Sequence, residues 1–234
     1  MSDPETVLVI DVGGSHVKFL VTGADEPRRF KSGKRLTPEK LLDGLRRETE
    51  GWSWNAVSLG IPTPVRGGRA IADPVNLGRG WVGFDFAGAF GTPTKVVNDA
   101  VMQAIGSYEG GRMLFLGLGT GLGSALILDG VVEPLELGHL PYRKKTFEDY
   151  VSERALQRVG RKRWRRAVFD VVDRLSAALE TDYVVIGGGG ADELDELPPN
   201  ARRGDNANAF EGGFRLWRDE WVPRAAVGER LAAR

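Results

Sequence analysis

The sequence predicts an α/β protein built from two similar halves, and three observations carry that expectation. Short apolar, β-branched runs alternate along the chain with stretches of helical periodicity. Three of those runs end directly in glycine turns, at Gly13-Gly14, Gly117–Gly123 and Gly187–Gly190. The stretch LFLGLGTGLGSALILDG, Leu114–Gly130, matches VLVIDVGGSHVKFLVTG, Val7–Gly23, without gaps at an offset of 107 residues. Apolar runs fall on apolar runs, Gly14 on Gly121 and Gly23 on Gly130. That spacing is far too long for a solenoid and suits a duplicated domain, each half opening with strand, glycine turn, strand. The halves divide at residues 1–110 and 111–234.

In order, Val7–Ile10 and Val17–Val21 read as a hairpin, followed by a turn-rich polar stretch up to Leu36. Thr37-Pro38-Glu39 opens a helix with a hydroxyl cap, a proline at the first position and an acid, and Leu41, Leu42 and Leu45 give it an apolar face. Ala56–Gly60 is a short strand stopped by the two prolines of IPTPV. The segment Gly67–Gly91 is loop-rich. Lys95–Val97 is another strand, and Asn98-Asp99 leads into a helix. In the second half, a helical stretch is expected at Phe147–Val159 and a longer helix from Lys162 to Glu180, with Val168, Val171, Val172, Leu175 and Leu179 on one face. YVVIGGGG is a strand and glycine turn, and a last helix is expected around Gly212–Trp221, a candidate to pack back on the N-terminal half.

Composition narrows the function classes. With a net charge of zero, global charge favours neither nucleic acid nor membrane as a partner. No apolar run reaches the about 18–20 residues of a membrane span, and MSDPET shows no signal-peptide pattern, so a cytoplasmic protein is expected. The chain has no cysteine and only His16 and His139, which excludes thiolate zinc sites.

The candidate chemistry centres on the glycine turns. Neither a Walker loop nor a G-x-G-x-x-G fingerprint is present. Each turn read alone is a hairpin; three in one chain point to backbone N–H groups gathered on phosphate. Asp11, at the end of its strand, is either a turn cap or a carboxylate that needs Mg2+ between itself and an anion. Lys18 is an edge-strand lysine or a phosphate counter-charge. Asn98 and Asp99 either cap a helix or project a general base from a rigid junction. Glu136 and His139, in ELGHL, either serve a polyhydroxylated ligand or leave the histidine as a surface or satisfied core residue. Residues 143–166 hold ten basic and three acidic side chains, net +7. They form a solvated face or a track for an extended polyanion, with Lys144, Lys145, Arg161, Arg163 and Arg165 as its candidates.

Taken in order, these motifs resemble the ROK family of sugar kinases, within the actin/hexokinase-like superfamily, and its short, cysteine-free branch of polyphosphate glucokinases. IDVGGSHVK resembles the first phosphate motif, GIPTPV and NLGRGW the sugar loop, VVNDA the Asn-Asp motif, GLGTGLGSALILDG the second phosphate motif. ELGHL resembles the sugar motif E-x-G-H, FEDYVSERAL the segment bringing a further glutamate, and VVIGGGG the glycine turn beside the nucleotide site. The resemblance covers about residues 7–190. It implies two ribonuclease H-like (actin-like ATPase) lobes, each a mixed five-stranded sheet flanked by helices, with a sugar cleft between them. It implies Asp99 as the base that takes the proton from the 6-hydroxyl of glucose, and Asn76, Asn98, Glu136, His139 and Glu148 as partners of the other hydroxyls. Asp11 would act near Mg2+, through water. Gly13, Gly14, Ser15, Lys18, Gly119, Thr120 and Gly121 would hold donor phosphates, and Gly187, Gly188 and Gly189 would lie beside the nucleotide. The implied partners are glucose or a related hexose, with polyphosphate or ATP as donor, and the expected assembly is a homodimer. Zinc is not expected: the cysteine-rich motif of many members is missing, and only eight residues separate His139 from Glu148. A non-catalytic sugar-binding regulator on the same fold is the alternative reading.

Overall fold

The computed structural model describes residues 4–205, 207–218 and 222–223. The first half runs β1 (Val7–Val12), β2 (His16–Val21), β3 (Arg28–Lys31), α1 (Pro38–Glu48), β4 (Ala56–Ile61), β5 (Val65–Arg66), β6 (Arg69–Ala70), α2 (Phe86–Phe90), β7 (Thr94–Asn98) and α3 (Asp99–Ser107). The second runs β8 (Arg112–Leu118), β9 (Leu122–Leu128), β10 (Val131–Leu135), β11 (Pro141–Tyr142), β12 (Lys145–Thr146), α4 (Glu148–Val151), α5 (Glu153–Val159), α6 (Arg161–Leu179), β13 (Tyr183–Gly187), β14 (Ala201–Arg203), α7 (Asn208–Arg215) and β15 (Val222–Pro223). Internal packing groups the chain into two compact units. One holds the residues up to Met102 and the return from Ala209; the other holds Gln103–Asn208 with β15.

The mixed α/β architecture is as expected. The first unit's sheet has the order β3-β2-β1-β4-β7, with β1 antiparallel to β2 and parallel to β4. The second unit's sheet has the order β14-β13-β8-β9-β10-β15, with β8 antiparallel to β9 and parallel to β13. Beside its five longer strands stands the two-residue β15. Central β1 reads as a continuous apolar run because both of its faces are covered. Leu8, Ile10 and Val12 join Phe19, Leu41, Leu45 and Trp81 on one face. Val7 and Val9 meet Met102 of α3 and Phe210 of α7 on the other. In the second unit α6 buries Trp164, Val168, Val171, Val172 and Leu175 against Leu114, Leu116, Val184 and Ile186 of β8 and β13. Trp164 Nε1 donates to Val151 O at 2.8 Å and ties α6 to α4.

Four readings shift in detail. The gapless match of the two hairpins slips in three dimensions. Val12 pairs with Val17 at the closed end of the first hairpin, and Leu118 with Leu122 at that of the second. The offset is therefore 106 on the outgoing strand and 105 on the return, and the second loop is one residue shorter. Side-chain alternation sets this register: Val12 and Leu118 are both buried, Asp11 and Gly117 both half-buried. An offset of 107 would lay buried Val12 on Gly119 of the loop, because a one-residue slip exchanges the two faces of a strand.

The helical stretch Phe147–Val159 breaks at Ser152, which is extended (φ −69°, ψ 166°) and separates α4 from α5. The polar stretch before Leu36 contains edge strand β3, whose charged sequence RRFK carries no apolar alternation to announce it. The last helix spans Asn208–Arg215; Trp221, in the expected span, lies outside the described residues. In α7, Gly213 sits so close to β1 that a Cβ there would stand 2.1 Å from Val9 Cγ1. Buried Ser58 Oγ donates to Gly213 O at 2.6 Å and accepts from Trp217 Nε1 at 2.9 Å.

Candidate active site

Three hydrogen bonds shape the first glycine loop, between β1 and β2. Gly13 N donates to His16 O at 2.9 Å and closes the turn. Ser32, just past β3, takes hold of the loop twice: its Oγ donates to Gly13 O at 2.7 Å and its N–H to Ser15 O at 3.0 Å. The Gly13 and Ser15 carbonyls are thereby turned toward Ser32. The N–H groups of Gly14 and Ser15 have no protein acceptor among the described residues. Converging N–H groups with carbonyls held away is the arrangement that receives an anion.

Beside this loop lies the carboxyl edge of the parallel strands, where α/β sheets place their ligands. Asp11 of β1 is in register with Gly60 of β4, which is in register with Val97 of β7. Gly60 is the gap into which α3 fits: a Cβ there would stand 2.6 Å from Met102 Cε and 3.4 Å from Asp99 Cα. Asp99 therefore begins α3 over Gly60, the cross-strand neighbour of Asp11. By the two-residue period, Asp11 shares the face of Val7 and Val9, the face α3 covers. Burial pushes the Asp11 carboxyl up to about 6, against the pull of Lys18, its cross-strand neighbour on β2. A desolvated hard oxygen ligand of this kind suits Mg2+. Among the described residues no three His, Cys, Asp or Glu side chains group into a metal cage. Mg2+ accepts such a donor-poor place when waters and phosphate oxygens complete its octahedron.

Asn98 is largely spent on structure. Its Oδ1 accepts from Ala100 N at 2.9 Å and Val101 N at 3.4 Å, capping α3, and its Nδ2 donates to Thr63 O at 3.2 Å. One Nδ2 hydrogen remains for a ligand. Asp99 Oδ1 accepts from Ala100 N at 2.9 Å. Asn76 belongs to the loop that Asp73 organises by accepting from Gly80 N at 3.0 Å and Trp81 N at 2.8 Å. It lies against the first glycine loop, its Cβ 3.7 Å from where a Gly14 Cβ would be.

In the second unit the glycine loop Gly119–Gly121 is held in the same manner. Gly119 N donates to Gly121 O at 3.1 Å, and Glu153 N donates to Gly119 O at 2.8 Å. The break at Ser152 is what frees the Glu153 N–H for this bond. The N–H groups of Thr120 and Gly121 have no protein acceptor among the described residues. Glu136, His139 and Glu148 gather beside the loop: His139 Nε2 lies 3.8 Å from Glu136 Oε2, and Nδ1 3.9 Å from Glu148 Oε1. Glu148 is wedged between two glycines, its Oε2 2.9 Å from a Cβ placed on Gly121 and 3.3 Å from one on Gly138. Burial raises the Glu136 carboxyl above its ordinary value; His139 pulls it down and Glu148 pushes it further up. Ser124 fixes the turn that presents the trio, donating to Leu135 O at 2.8 Å and accepting from Leu137 N at 3.1 Å.

The third glycine turn packs on the second. Gly117 is in register with Gly187, and a Cβ on Gly188 or Gly190 would collide with Leu118 at 2.4 Å and 2.7 Å. Gly188 also has φ +75°, so these glycines are needed for packing and conformation. Gly189 stands in open space.

The basic segment divides into two faces. Arg161 pairs with Glu193 at 2.5 Å and Asp195 at 3.5 Å, and Arg165 with Glu196 at 3.8 Å. These two track candidates are thus neutralised by the acidic run after the third turn. Lys162, Arg163 and Arg166 are exposed, neighbours at i,i+3 and i,i+4, and make no ion pair among the described residues. The β11–β12 hairpin docks one turn further along: Tyr142 OH donates to Asp170, and Arg143 lies 3.4 Å from the same carboxylate. Its tip exposes Lys144 and Lys145.

No family model matches the chain. Polyphosphate glucokinase of Mycobacterium tuberculosis is 28% identical over 216 residues, covering 81% of this chain and 80% of the relative. Polyphosphate glucokinase of Mycobacterium leprae is 24% identical over 214 residues, covering 81% of this chain and 65% of the relative. The chain is similar in sequence to these polyphosphate glucokinases. Among solved structures, the inorganic polyphosphate/ATP-glucomannokinase of Arthrobacter sp. strain KM has the same fold, with TM-score 0.77, 21% identity and coverage of 92% of this chain and 98% of that one. The ROK family glucokinase of Streptomyces griseus, in complex with glucose and AMPPNP, has TM-score 0.73, 17% identity and coverage of 91% and 99%.

Sequence reasoning missed Ser32, Ser124, Gly60 and the pairing of Arg161 and Arg165. A serine after a charged strand or a glycine within a strand carries no local signal of a partner far along the chain. The acids Asp192, Glu193, Asp195 and Glu196 stand in the sequence, but nothing local shows that they meet the basic helix.

Proposed function

We propose that the chain is a glucokinase that moves a phosphoryl group from polyphosphate to the 6-hydroxyl of glucose. One observation carries this reading: in each unit, groups suited to sugar hydroxyls adjoin a loop of unclaimed N–H groups. Asn76 lies on Gly14, and Glu148, with Glu136 and His139, lies on Gly121. Phosphoryl transfer asks little covalent work of a protein beyond placing an acceptor hydroxyl against a donor phosphate and neutralising charge.

In this reading Asp99 accepts the proton of the 6-hydroxyl. Asn76, Asn98, Glu136, His139 and Glu148 orient the sugar. The N–H groups of Gly14, Ser15, Thr120 and Gly121 hold donor oxygens, with Lys18 offsetting their charge. Asp11 would hold Mg2+, directly or through water, and the ion would supply charge neutralisation on the donor. Polyphosphate is the donor named for the curated relatives. The exposed Lys162, Arg163 and Arg166, which make no ion pair among the described residues, with Lys144 and Lys145 exposed at the neighbouring hairpin, support it here, since an extended polyanion needs cations that are not already paired. Arg161 and Arg165 are replaced in that role.

A coupled assay for glucose 6-phosphate, run with polyphosphate and with ATP over a small hexose panel, tests the proposal. Turnover with polyphosphate and glucose is expected. Sugar binding without turnover on either donor would support the regulator reading instead.

A further inference from the structure

Ser32 is claimed by no recognised motif, yet its side chain and backbone make the two bonds that turn the first loop's carbonyls aside. A glycine loop is conformationally free, and that freedom works against anion binding. With Gly13 O and Ser15 O untethered, the loop samples states in which a carbonyl dipole faces the phosphate. The second loop meets the same difficulty through a backbone group, Glu153 N on Gly119 O. In the first loop half of the clamp is a hydroxyl, supplied by a residue 19 positions away at the end of an edge strand.

We propose that Ser32 is a positioning residue for the donor, holding Gly13–Ser15 in the conformation whose N–H groups bind phosphate. Its Oγ is the carbonyl anchor; it touches neither donor nor sugar. The Ser32 N–H bond to Ser15 O survives side-chain replacement, so the loop stays attached and loses only its Gly13 restraint. The inference rests on the first loop being a donor-phosphate site, as proposed above, and does not depend on which sugar is phosphorylated.

The test compares wild type, Ser32→Ala and Ser32→Thr in two measurements. Steady-state kinetics on polyphosphate and glucose should show a KM for the donor raised about five- to tenfold in Ser32→Ala, as expected for one lost hydrogen bond. The KM for glucose and the thermal midpoint should stay near wild type, and Ser32→Thr, which keeps the hydroxyl, should restore donor affinity. Titration of the 15N-labelled proteins with tripolyphosphate and Mg2+ follows the Gly14 and Ser15 amides directly. Their shifts should saturate at about five- to tenfold higher ligand in Ser32→Ala. A wild type that binds tripolyphosphate at these amides but transfers no phosphoryl group would sink the glucokinase reading, and the variants' titrations would still decide the clamp. Equal donor affinity in wild type and Ser32→Ala, equal losses for donor and glucose, or no shift at Gly14 and Ser15 in the wild type would overturn it.

Discussion

Replacing Asp11 by asparagine probes the electrostatics of the first loop. Burial moves this carboxyl from an ordinary 3.8 to about 6, even with Lys18 opposing the rise. The folded protein therefore holds a proton on Asp11 more tightly than the unfolded chain does. Between those two pH values the native state binds more protons, so stability falls as pH rises through the window, and the full penalty stands above pH 6. At about 1.36 kcal/mol for each tenfold change in proton affinity, the penalty is about 2–3 kcal/mol, the lower figure applying as water still reaches the half-buried side chain. Asp11→Asn removes the charge and keeps the shape. It should raise the thermal midpoint at pH 7.5 in Mg2+-free buffer by about 5 °C, and the gain should shrink to almost nothing at pH 4. Added Mg2+ should stabilise the wild type and leave the variant unmoved. Phosphoryl transfer should fall by about 10²-fold or more, the value of a lost metal ligand beside a reacting phosphate. Thermal melts at the two pH values, with and without Mg2+, decide the matter. A variant less stable than wild type at pH 7.5, or a gain as large at pH 4, would refute the desolvation account.

Asp99→Asn should lower kcat by about 10²–10⁴-fold with the glucose KM little changed, the mark of a lost proton acceptor; near-wild-type turnover would remove Asp99 from that role. Charge reversal at Lys162, Arg163 and Arg166 should raise the KM for long polyphosphate at least about tenfold, while reversal at Arg161 and Arg165 should mainly lower stability; the opposite ranking would return the track to the paired arginines. Gly121→Ala brings a methyl within 2.9 Å of Glu148 Oε2, so the carboxylate must retreat. If Glu148 orients the sugar as proposed, its retreat should cost about tenfold or more in kcat/KM for glucose, measured at saturating donor. Gly213→Ala meets Val9 Cγ1 at 2.1 Å. Overpacking of about 1–3 kcal/mol should outweigh the ~1 kcal/mol helix preference for alanine, and urea unfolding should show a net loss that Val9→Ala relieves.

Much of the fold was legible because its signals are local. The run VLVIDV declared a covered central strand, Thr37-Pro38 declared a helix start, and the glycine turns declared where strands reverse. The candidate residues were legible for the same reason, since DVGGS, VVNDA and ELGHL each keep their polar groups within a few residues. What escaped were relations between distant residues. Nothing in FEDYVSERAL shows that its helix must break at Ser152 so that Glu153 N can reach Gly119 O. The match between Val7–Gly23 and Leu114–Gly130 suggested the duplication, but gaplessness gave the wrong register, because a loop can drop a residue without a trace in an apolar pattern.

The division between sequence and tertiary structure follows from the range of the forces involved. Backbone conformation, strand alternation and residue chemistry act over a handful of neighbours, so the sequence alone determined the α/β class, the glycine turns that follow apolar strands and the polar residues beside them. Ion pairing, desolvation and the anchoring of carbonyls act between segments brought together by folding. Only the tertiary structure therefore decided that Arg161 and Arg165 are already paired, that burial lifts the Asp11 carboxyl, that Glu148 joins Glu136 and His139, and that Ser32 binds the Gly13 and Ser15 carbonyls.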